Sequence, residues 1–308
     1  MHMITIEYRL VIIGLLLTTA MQAQVSGTVR DSLTGEPLSY VNIWVAGQNI
    51  GSTSDEEGRF ELERAKVGDT IVLSAVGYAS VSVAAADAKL DVSLAPAFVE
   101  LEGMTVTPHR DRAKQTVGDF ERKEVSFYYG CSTPWLVARY FPYDSLYAST
   151  PYFRTVHILT RSRLRHATMH VRLYEQGEDG LPGALLHDQP IVAKIKKGKR
   201  VTKVDLRREG LRVPESGFFV AVEWLILPEN RYYYTYTTDD SGYEVETYNY
   251  QPTVGGILRR KPFTYTYLKG EWTATTGSAE DFKLDDFVSG KDANDLYMLP
   301  AIEVELMD

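Results

Sequence analysis

The sequence predicts an all-β protein, in which an N-terminal prealbumin- or Ig-like β-sandwich precedes a second, larger, jelly-roll-like antiparallel β-sandwich. Short apolar segments alternate with turn sequences such as residues 34–37 (TGEP) and 55–58 (DEEG). Strands joined by tight turns produce this pattern, whereas α/β folds alternate strands with helices. Helical periodicity is weak, and its best candidate is a short turn at residues 135–138. A chain of 308 residues that is 44% hydrophobic can bury two separate cores.

The first residues predict export from the cytoplasm. Arg9 ends a mildly basic start, an apolar run covers residues 10–17, and small and polar residues follow to Ala23. Such a run is too short to span a bilayer, which needs about 20 apolar residues. It is typical of the hydrophobic region of a secretory signal peptide. We therefore expect a signal peptide at residues 1–23 and no transmembrane segment in the mature chain.

The first sandwich is expected over residues 24–95, where the alternation of Val41, Ile43 and Val45 predicts one buried face. A charged stretch over residues 96–125 follows and is expected to be a linker.

The second sandwich is expected over residues 126–308. Its clearest predicted strands are residues 167–174, 190–195, 201–206 and 218–227. The last of these is apolar on both faces apart from Glu223, so we expect a central strand that is covered on both sides. The basic residues 194–200 are expected at a solvated hairpin tip.

Charge and motifs exclude several classes of function. The formal net charge of −8 argues against nucleic-acid binding, which needs a basic surface. The single cysteine, Cys131, has no disulfide or CxxC partner. The sequence lacks a G-x-S-x-G elbow, a P-loop and a dinucleotide-binding fingerprint. We expect no catalytic residue and no cofactor.

A zinc site is also disfavoured. His166 and His170 have the spacing of a helical metal-binding pair but lack the Glu of H-E-x-x-H. Their segment predicts a strand, in which four residues span about 13 Å, too far for two ligands of one zinc ion. Acidic turns at residues 178–180 and 239–242 do not match a calcium-binding EF-hand loop. No metal site is expected.

Glu223 is the carboxylate with the most unusual sequence environment, since it lies beside Trp224 in an apolar strand. Burial would raise its pKa and suit it to act as a general acid. A glycosidase needs a second carboxylate about 5 to 10 Å away, and the sequence identifies no such partner. The favoured interpretation is a core carboxylate paired with Arg172 or Arg163.

Tyrosines are concentrated in one part of the second sandwich. A ligand or partner surface there would include Tyr232, Tyr234, Tyr236, Tyr243, Tyr248 and Tyr250. Tyrosine has an apolar face and a polar tip, which suits sugar rings and partner proteins alike. Alternatively, these side chains cover an edge hairpin, because tyrosine is also a good strand former.

Several segments of the first sandwich resemble the carboxypeptidase-like regulatory domain. They are residues 25–31 (VSGTVRD), 35–38 (GEPL), 55–60 (DEEGRF) and 77–78 (GY). That family is a prealbumin-like sandwich often found ahead of TonB-dependent outer-membrane receptors and other exported proteins of Gram-negative bacteria. Residues 101–108 (LEGMTVTP) are similar to the segment that commonly follows it.

The second half, with residues 171–175, 180–183, 204–206 and 220–224, resembles an uncharacterised β-sandwich paired with this domain in some members. The resemblance implies a non-catalytic domain, with no catalytic or zinc residues to transfer. It predicts an exported binding or scaffolding protein of the cell envelope, periplasmic or outer-membrane associated, whose regulatory-like domain contacts an envelope protein complex. Glycan binding by the Tyr-rich region is the alternative, and a hydrolase centred on Glu223 is a distant one.

Overall fold

A computed structural model describes residues 24–75, 77–97, 113–187, 189–238, 242–268, 271–278 and 295–308. These residues form strands and three short 3₁₀ turns, and no α-helix occurs among them. The predicted all-β sandwich fold class is confirmed. The expected signal peptide, residues 98–112 of the expected linker and part of the acidic turn at residues 239–242 lie outside the described residues.

The first sandwich packs two small sheets against each other. Its described strands are β1 (Gln24–Asp31), β2 (Asn42–Val45), β3 (Gly51–Thr53), β4 (Arg59–Glu63), β5 (Thr70–Ser74), β6 (Val81–Ala84) and β7 (Lys89–Leu94). One sheet has the order β4-β1-β7, and the other has the order β3-β2-β5-β6. The pair β1–β7 is parallel. Val41, Ile43 and Val45 are buried in the core between the sheets, as their alternation predicts.

The second sandwich is a single hydrogen-bonded network of 13 strands. They are β8 (Lys114–Val117), β9 (Phe127–Cys131), β10 (Leu136–Phe141), β11 (Tyr152–Gln176), β12 (Pro182–Leu185), β13 (Ile191–Asp205), β14 (Phe218–Trp224), β15 (Arg231–Thr237), β16 (Glu244–Arg259), β17 (Thr264–Leu268), β18 (Glu271–Ala274), β19 (Tyr297–Pro300) and β20 (Ile302–Met307). The strand β11 pairs with β20 through its first half and with β14 through its second half. The strand β13 pairs with both halves of β11. Both strands therefore extend from the group of strands around β20 to the group around β14.

Three local expectations differ from the structure. Residues 190–195 and 201–206 belong to one continuous strand, β13, so the basic residues between them lie within a strand and not at a hairpin tip. Gly198, with φ of +99°, allows β13 to bend there without reversing. Residues 136–138, expected as a helical turn, belong to strand β10 because they pair with β14 and β17. The expected linker contains strand β8, which pairs with β20.

The strand β14 is buried on both faces, as its sequence predicts. Val220, Val222 and Trp224 face the main core of the second sandwich. Phe219 and Ala221 face the other way, into a separate cluster with aromatic side chains of the same sheet. Glu223 shares this second face by alternation along the strand. No helix in the described part of the chain is long and apolar enough to cross a bilayer.

Candidate functional site

Glu223 lies where the two sandwiches meet. Its carboxylate accepts hydrogen bonds from Arg172 Nε at 2.6 Å and from His170 Nδ1 at 3.1 Å. Arg172 Nη2 is 2.5 Å from the same carboxylate oxygen. The other oxygen accepts a hydrogen bond from Asn42 Nδ2, which belongs to the first sandwich. The expected ion pair with Arg172 is therefore present, and a residue of the other domain completes it.

The local sequence explains how these groups converge. His170 is directly opposite Glu223 in the β11–β14 register, and Arg172 is two residues further along the same face of β11. Ala167, Met169 and Leu173 fill the main core, so His170 and Arg172 lie on the opposite face of β11. His170 and Arg172 are nevertheless 1% and 9% exposed, because the first sandwich lies over this face.

The electrostatics of Glu223 differ from those of a general acid. Burial acts to raise its pKa, but the charge of Arg172 and hydrogen bonds from His170 and Asn42 outweigh burial and lower the pKa to about 2. A raised pKa belonged to the general-acid alternative, which considered burial alone, whereas the pairing agrees with the favoured interpretation of a core carboxylate. With its pKa lowered and its charge paired, Glu223 is ionised at neutral pH and has no proton to donate. Glu223 and its partners Arg172, His170 and Asn42 instead connect the first sandwich to the second.

Further contacts connect the sandwiches around this pair. The Ile226 amide donates to Thr53 Oγ1 at 2.9 Å, and Arg231 Nη1 pairs with Glu63 at 2.8 Å. Gly51 packs so closely on Pro134 that an added Cβ would lie 2.5 Å from the Pro134 ring. These contacts bring β3 and β4 of the first sandwich against the second.

A cavity of about 390 Å³ opens beside the ion pair. Tyr40 and Tyr78 line it from the first sandwich, and His170 and Arg172 line it from the second. Among the described residues, His170 Nε2 has no hydrogen-bond partner. A space of this size with both polar and apolar lining can hold ordered water or a small molecule.

The Tyr-rich region forms the hairpin β15–β16, and β15 is an edge strand. One face of β15 carries Tyr232, Tyr234 and Tyr236, whose successive ring centroids are 6.4 and 6.5 Å apart. Tyr234 and Tyr236 are exposed, and Tyr243, beyond β15, is 74% exposed. The hairpin therefore presents a row of aromatic rings to solvent.

The opposite face of the hairpin packs on Arg231, although Tyr233 on this face is 55% exposed. The Arg231 guanidinium is 4.8 Å from the ring of Tyr248 and 5.5 Å from that of Tyr250. Tyr250 is 3% exposed, and the Tyr233 ring packs edge-on against Tyr248 at 5.7 Å. Because Arg231 also binds Glu63, this face supports the contact between the sandwiches. The structure thus divides the predicted tyrosine set into an exposed row and a packed cluster.

The predicted histidines do not converge on a metal. His166 and His170 both lie in β11, and among the described residues no group of three His, Cys, Asp or Glu side chains could hold a metal ion. Cys131 is buried, and burial raises the pKa of its thiol.

Sequence reasoning did not identify Asn42, Thr53 and Glu63 as contact residues. Asn42 had a weak signal, since it is a small polar residue within the apolar segment of residues 41–45. Nothing in the local pattern shows that its face of β2 meets another domain.

Known proteins are similar to parts of this chain. A stretch of 59 residues, 19% of this chain, is 46% identical to the TonB-dependent receptor SusC of Bacteroides thetaiotaomicron. The aligned stretch spans 6% of that receptor. Among solved structures, a chain of a type II cohesin–X-dockerin complex from Acetivibrio cellulolyticus is 17% identical, with a TM-score of 0.20, over 23% of this chain and 52% of that chain. A similarity at that level has no bearing on function.

The family model of the CarboxypepD_reg-like domain matches residues 25–106, which include the whole first sandwich. The match agrees with the resemblance of residues 25–31, 35–38, 55–60 and 77–78. Residues 25–106 of this chain therefore form a domain of the CarboxypepD_reg-like family.

Proposed function

We propose that this chain is an exported, non-enzymatic binding or scaffolding protein of the bacterial cell envelope. Its CarboxypepD_reg-like sandwich makes the contact with an envelope protein complex, and the second sandwich holds that domain in place. The similarity of 59 residues to a TonB-dependent receptor supports a place in the envelope. The apolar run at residues 10–17 supports export.

The observation that carries this proposal is the unequal use of the strands of the first sandwich. Asn42 and Thr53, from the sheet β3-β2-β5-β6, contact the second sandwich, and so does Glu63 of β4. At the other edge of the sheet β4-β1-β7, β7 leaves Lys89, Asp91 and Ser93 exposed. A domain anchored in this way can present its β7 edge to a partner. This exposed surface around β7 is called the β7 face below.

Affinity capture of the chain from Gln24 onward, from crosslinked cell envelopes, tests this function. We expect one envelope protein to be recovered reproducibly and in stoichiometric amount, as mass spectrometry of the eluate would show. Recovery of no protein above the level of an unrelated exported β-sandwich contradicts the scaffold function.

Carbohydrate binding is the second candidate. The row of Tyr232, Tyr234 and Tyr236, of which the last two are exposed, supports it. Rings spaced along a strand offer apolar faces to successive sugar rings, and tyrosine hydroxyls offer hydrogen bonds. A saccharide array probed with the purified chain tests this candidate. Binding that survives loss of the exposed tyrosines contradicts it.

A further inference from the structure

A second exposed feature of the second sandwich lies where β11 and β13 pass together from one group of strands to the other. The register between these strands shifts between Ser162 and His166, and Gly198 lies on the facing strand. We call residues 161–166 and 196–200 the basic corner. Its Lys and Arg side chains are Arg161, Arg163, Arg165, Lys196, Lys197, Lys199 and Arg200, all of them exposed.

Within the part of the chain that the structure describes, the charges of the basic corner have no acidic partner. Neither of its two segments contains an Asp or Glu, although the chain as a whole has a formal charge of −8. Arg161 lies 5.3 Å from the Tyr128 ring, and Lys199 donates to the Arg122 carbonyl. Among the described residues, no ion pair joins a corner cation to a carboxylate.

Folding does not explain this arrangement, because it is electrostatically unfavourable. Arg161 is directly opposite Lys199 in the antiparallel register. Like charges at such cross-strand positions destabilise a sheet, whereas a carboxylate at either position would stabilise it. An anionic ligand would relieve this repulsion.

The corner is also held in a defined shape. Ser162 Oγ accepts a hydrogen bond from the Leu164 amide at 3.1 Å, and Gln251 Oε1 accepts one from the Arg163 amide at 3.0 Å. Ser162 and Gln251 are 2% and 3% exposed. Two buried polar side chains thus fix the irregular backbone that carries the exposed arginines, and irregularities of this kind redirect side chains.

We propose that the basic corner binds an acidic polysaccharide, through carboxylate or sulfate groups spaced along its chain. The planar guanidinium groups of Arg163 and Arg165 can bind such groups with paired hydrogen bonds.

A flexible linear polyanion can follow a curved corner, whereas a flat membrane surface touches only part of it. Insertion into lipid also needs apolar side chains, and the large exposed ones among the described residues lie elsewhere, at Leu33, Val67, Leu146, Tyr233, Tyr234, Tyr236, Tyr243 and Leu268. This site goes beyond the proposed function and does not depend on the β7 face.

Heparin, a sulfated polysaccharide, serves as the probe in a binding titration with the chain from Gln24 onward at low salt. The corner variant combines Arg163→Gln, Arg165→Gln, Lys196→Gln and Lys197→Gln. The control variant combines Arg208→Gln, Arg260→Gln, Lys66→Gln and Lys261→Gln, which are also exposed, so both variants lose four positive charges from the same residue types. We expect the corner variant to bind heparin at least about tenfold more weakly, because four exposed ion pairs of ordinary strength combine to that factor.

The control variant should keep most of the affinity, uncharged dextran should not bind, and added salt should weaken the heparin complex by screening. An equal loss of affinity in both variants overturns the proposal, because heparin would then sense only net charge. Absence of heparin binding in the unsubstituted chain also overturns it. Corner-dependent binding to vesicles of anionic phospholipid without binding to heparin identifies a membrane contact instead and refutes the polysaccharide. Equal thermal stability of the two variants shows that the corner variant is folded.

Discussion

Asn42 of the first sandwich donates a hydrogen bond to Glu223 of the second, and the two residues are 181 positions apart in the sequence. Both are buried, and Arg172 and His170 complete the coordination of the same carboxylate. A charge buried between domains is tolerated only when it is paired and hydrogen-bonded. The stability of the second sandwich and its contact with the first therefore both depend on the carboxylate of Glu223.

Replacing Glu223 by Gln should strongly destabilise the protein. The variant leaves Arg172 as a buried charge without its partner, which costs about 3–5 kcal/mol of the free energy of unfolding. Urea denaturation measures this loss. The double variant Glu223→Gln/Arg172→Met contains no unpaired charge at the site, so it should be more stable than the single Glu223→Gln variant. If the double variant is less stable than both single variants, the ion pair does not have this role.

Replacing Asn42 by Ala should weaken the contact between the sandwiches. It removes a hydrogen bond to a buried carboxylate, and such a bond contributes about 1.5–3 kcal/mol. Asn49→Ala is the matched control, because Asn49 also contacts the second sandwich, through Thr133, but in an exposed position. Differential scanning calorimetry should show a larger fall in Tm for Asn42→Ala. Equal effects of the two substitutions would mean that the buried bond has no special importance.

The stabilisation that Glu223 contributes should decrease at acid pH. The pKa of Glu223 is lowered in the folded protein from an ordinary value of 4.5 to about 2. The unfolded chain therefore takes up this proton first as the pH falls, so the stabilisation from Glu223 is complete above pH 4.5 and is lost as the pH falls toward 2.

The difference in unfolding free energy between the unsubstituted chain and Glu223→Gln measures this effect free of other carboxylates. We expect the difference to be constant above pH 5 or so and to shrink steadily below pH 4.5. A difference that does not change with pH over this range would show that Glu223 titrates normally.

The two faces of the tyrosine hairpin should respond differently to substitution. Tyr248→Ala removes the ring that packs on Arg231 and Tyr233, so it should lower the unfolding free energy by about 1–3 kcal/mol. Tyr234 is 39% exposed, and Tyr234→Ala should change stability by less than about 0.5 kcal/mol. Thermal unfolding and saccharide binding should be measured on both variants. Loss of saccharide binding in Tyr234→Ala at unchanged Tm supports the glycan candidate, whereas a lowered Tm in both variants makes the whole hairpin structural.

The local sequence patterns predicted those buried faces of strands that depend only on neighbouring residues in the sequence. The alternation of Val41, Ile43 and Val45 predicted the core face of β2, and the apolar residues around Glu223 predicted a strand covered on both sides. The same patterns did not predict that His170 is buried beside Glu223, because no local signal shows that a second domain covers its face of β11.

The basic residues 194–200 are a second case in which the local sequence does not show the effect of a distant part of the chain. Their composition is that of a solvated turn, but β11 continues past them and pairs with β13 on both sides of the register shift, so they remain in a strand. Pairing with a long strand from elsewhere in the sequence outweighs local composition.

The central claim is that the CarboxypepD_reg-like domain binds a protein partner through its β7 face. Envelope capture with two charge-reversal variants tests it most directly. One variant combines Asp87→Lys and Asp91→Lys at the β7 face, and the other combines Glu244→Lys and Glu246→Lys on the tyrosine hairpin, so that the change in charge is equal and all four positions are exposed. We predict that the β7-face variant loses the partner recovered by the unsubstituted chain and that the hairpin variant retains it. Retention of the partner by the β7-face variant, with loss in the hairpin variant, would contradict the account and place the interface on the second sandwich.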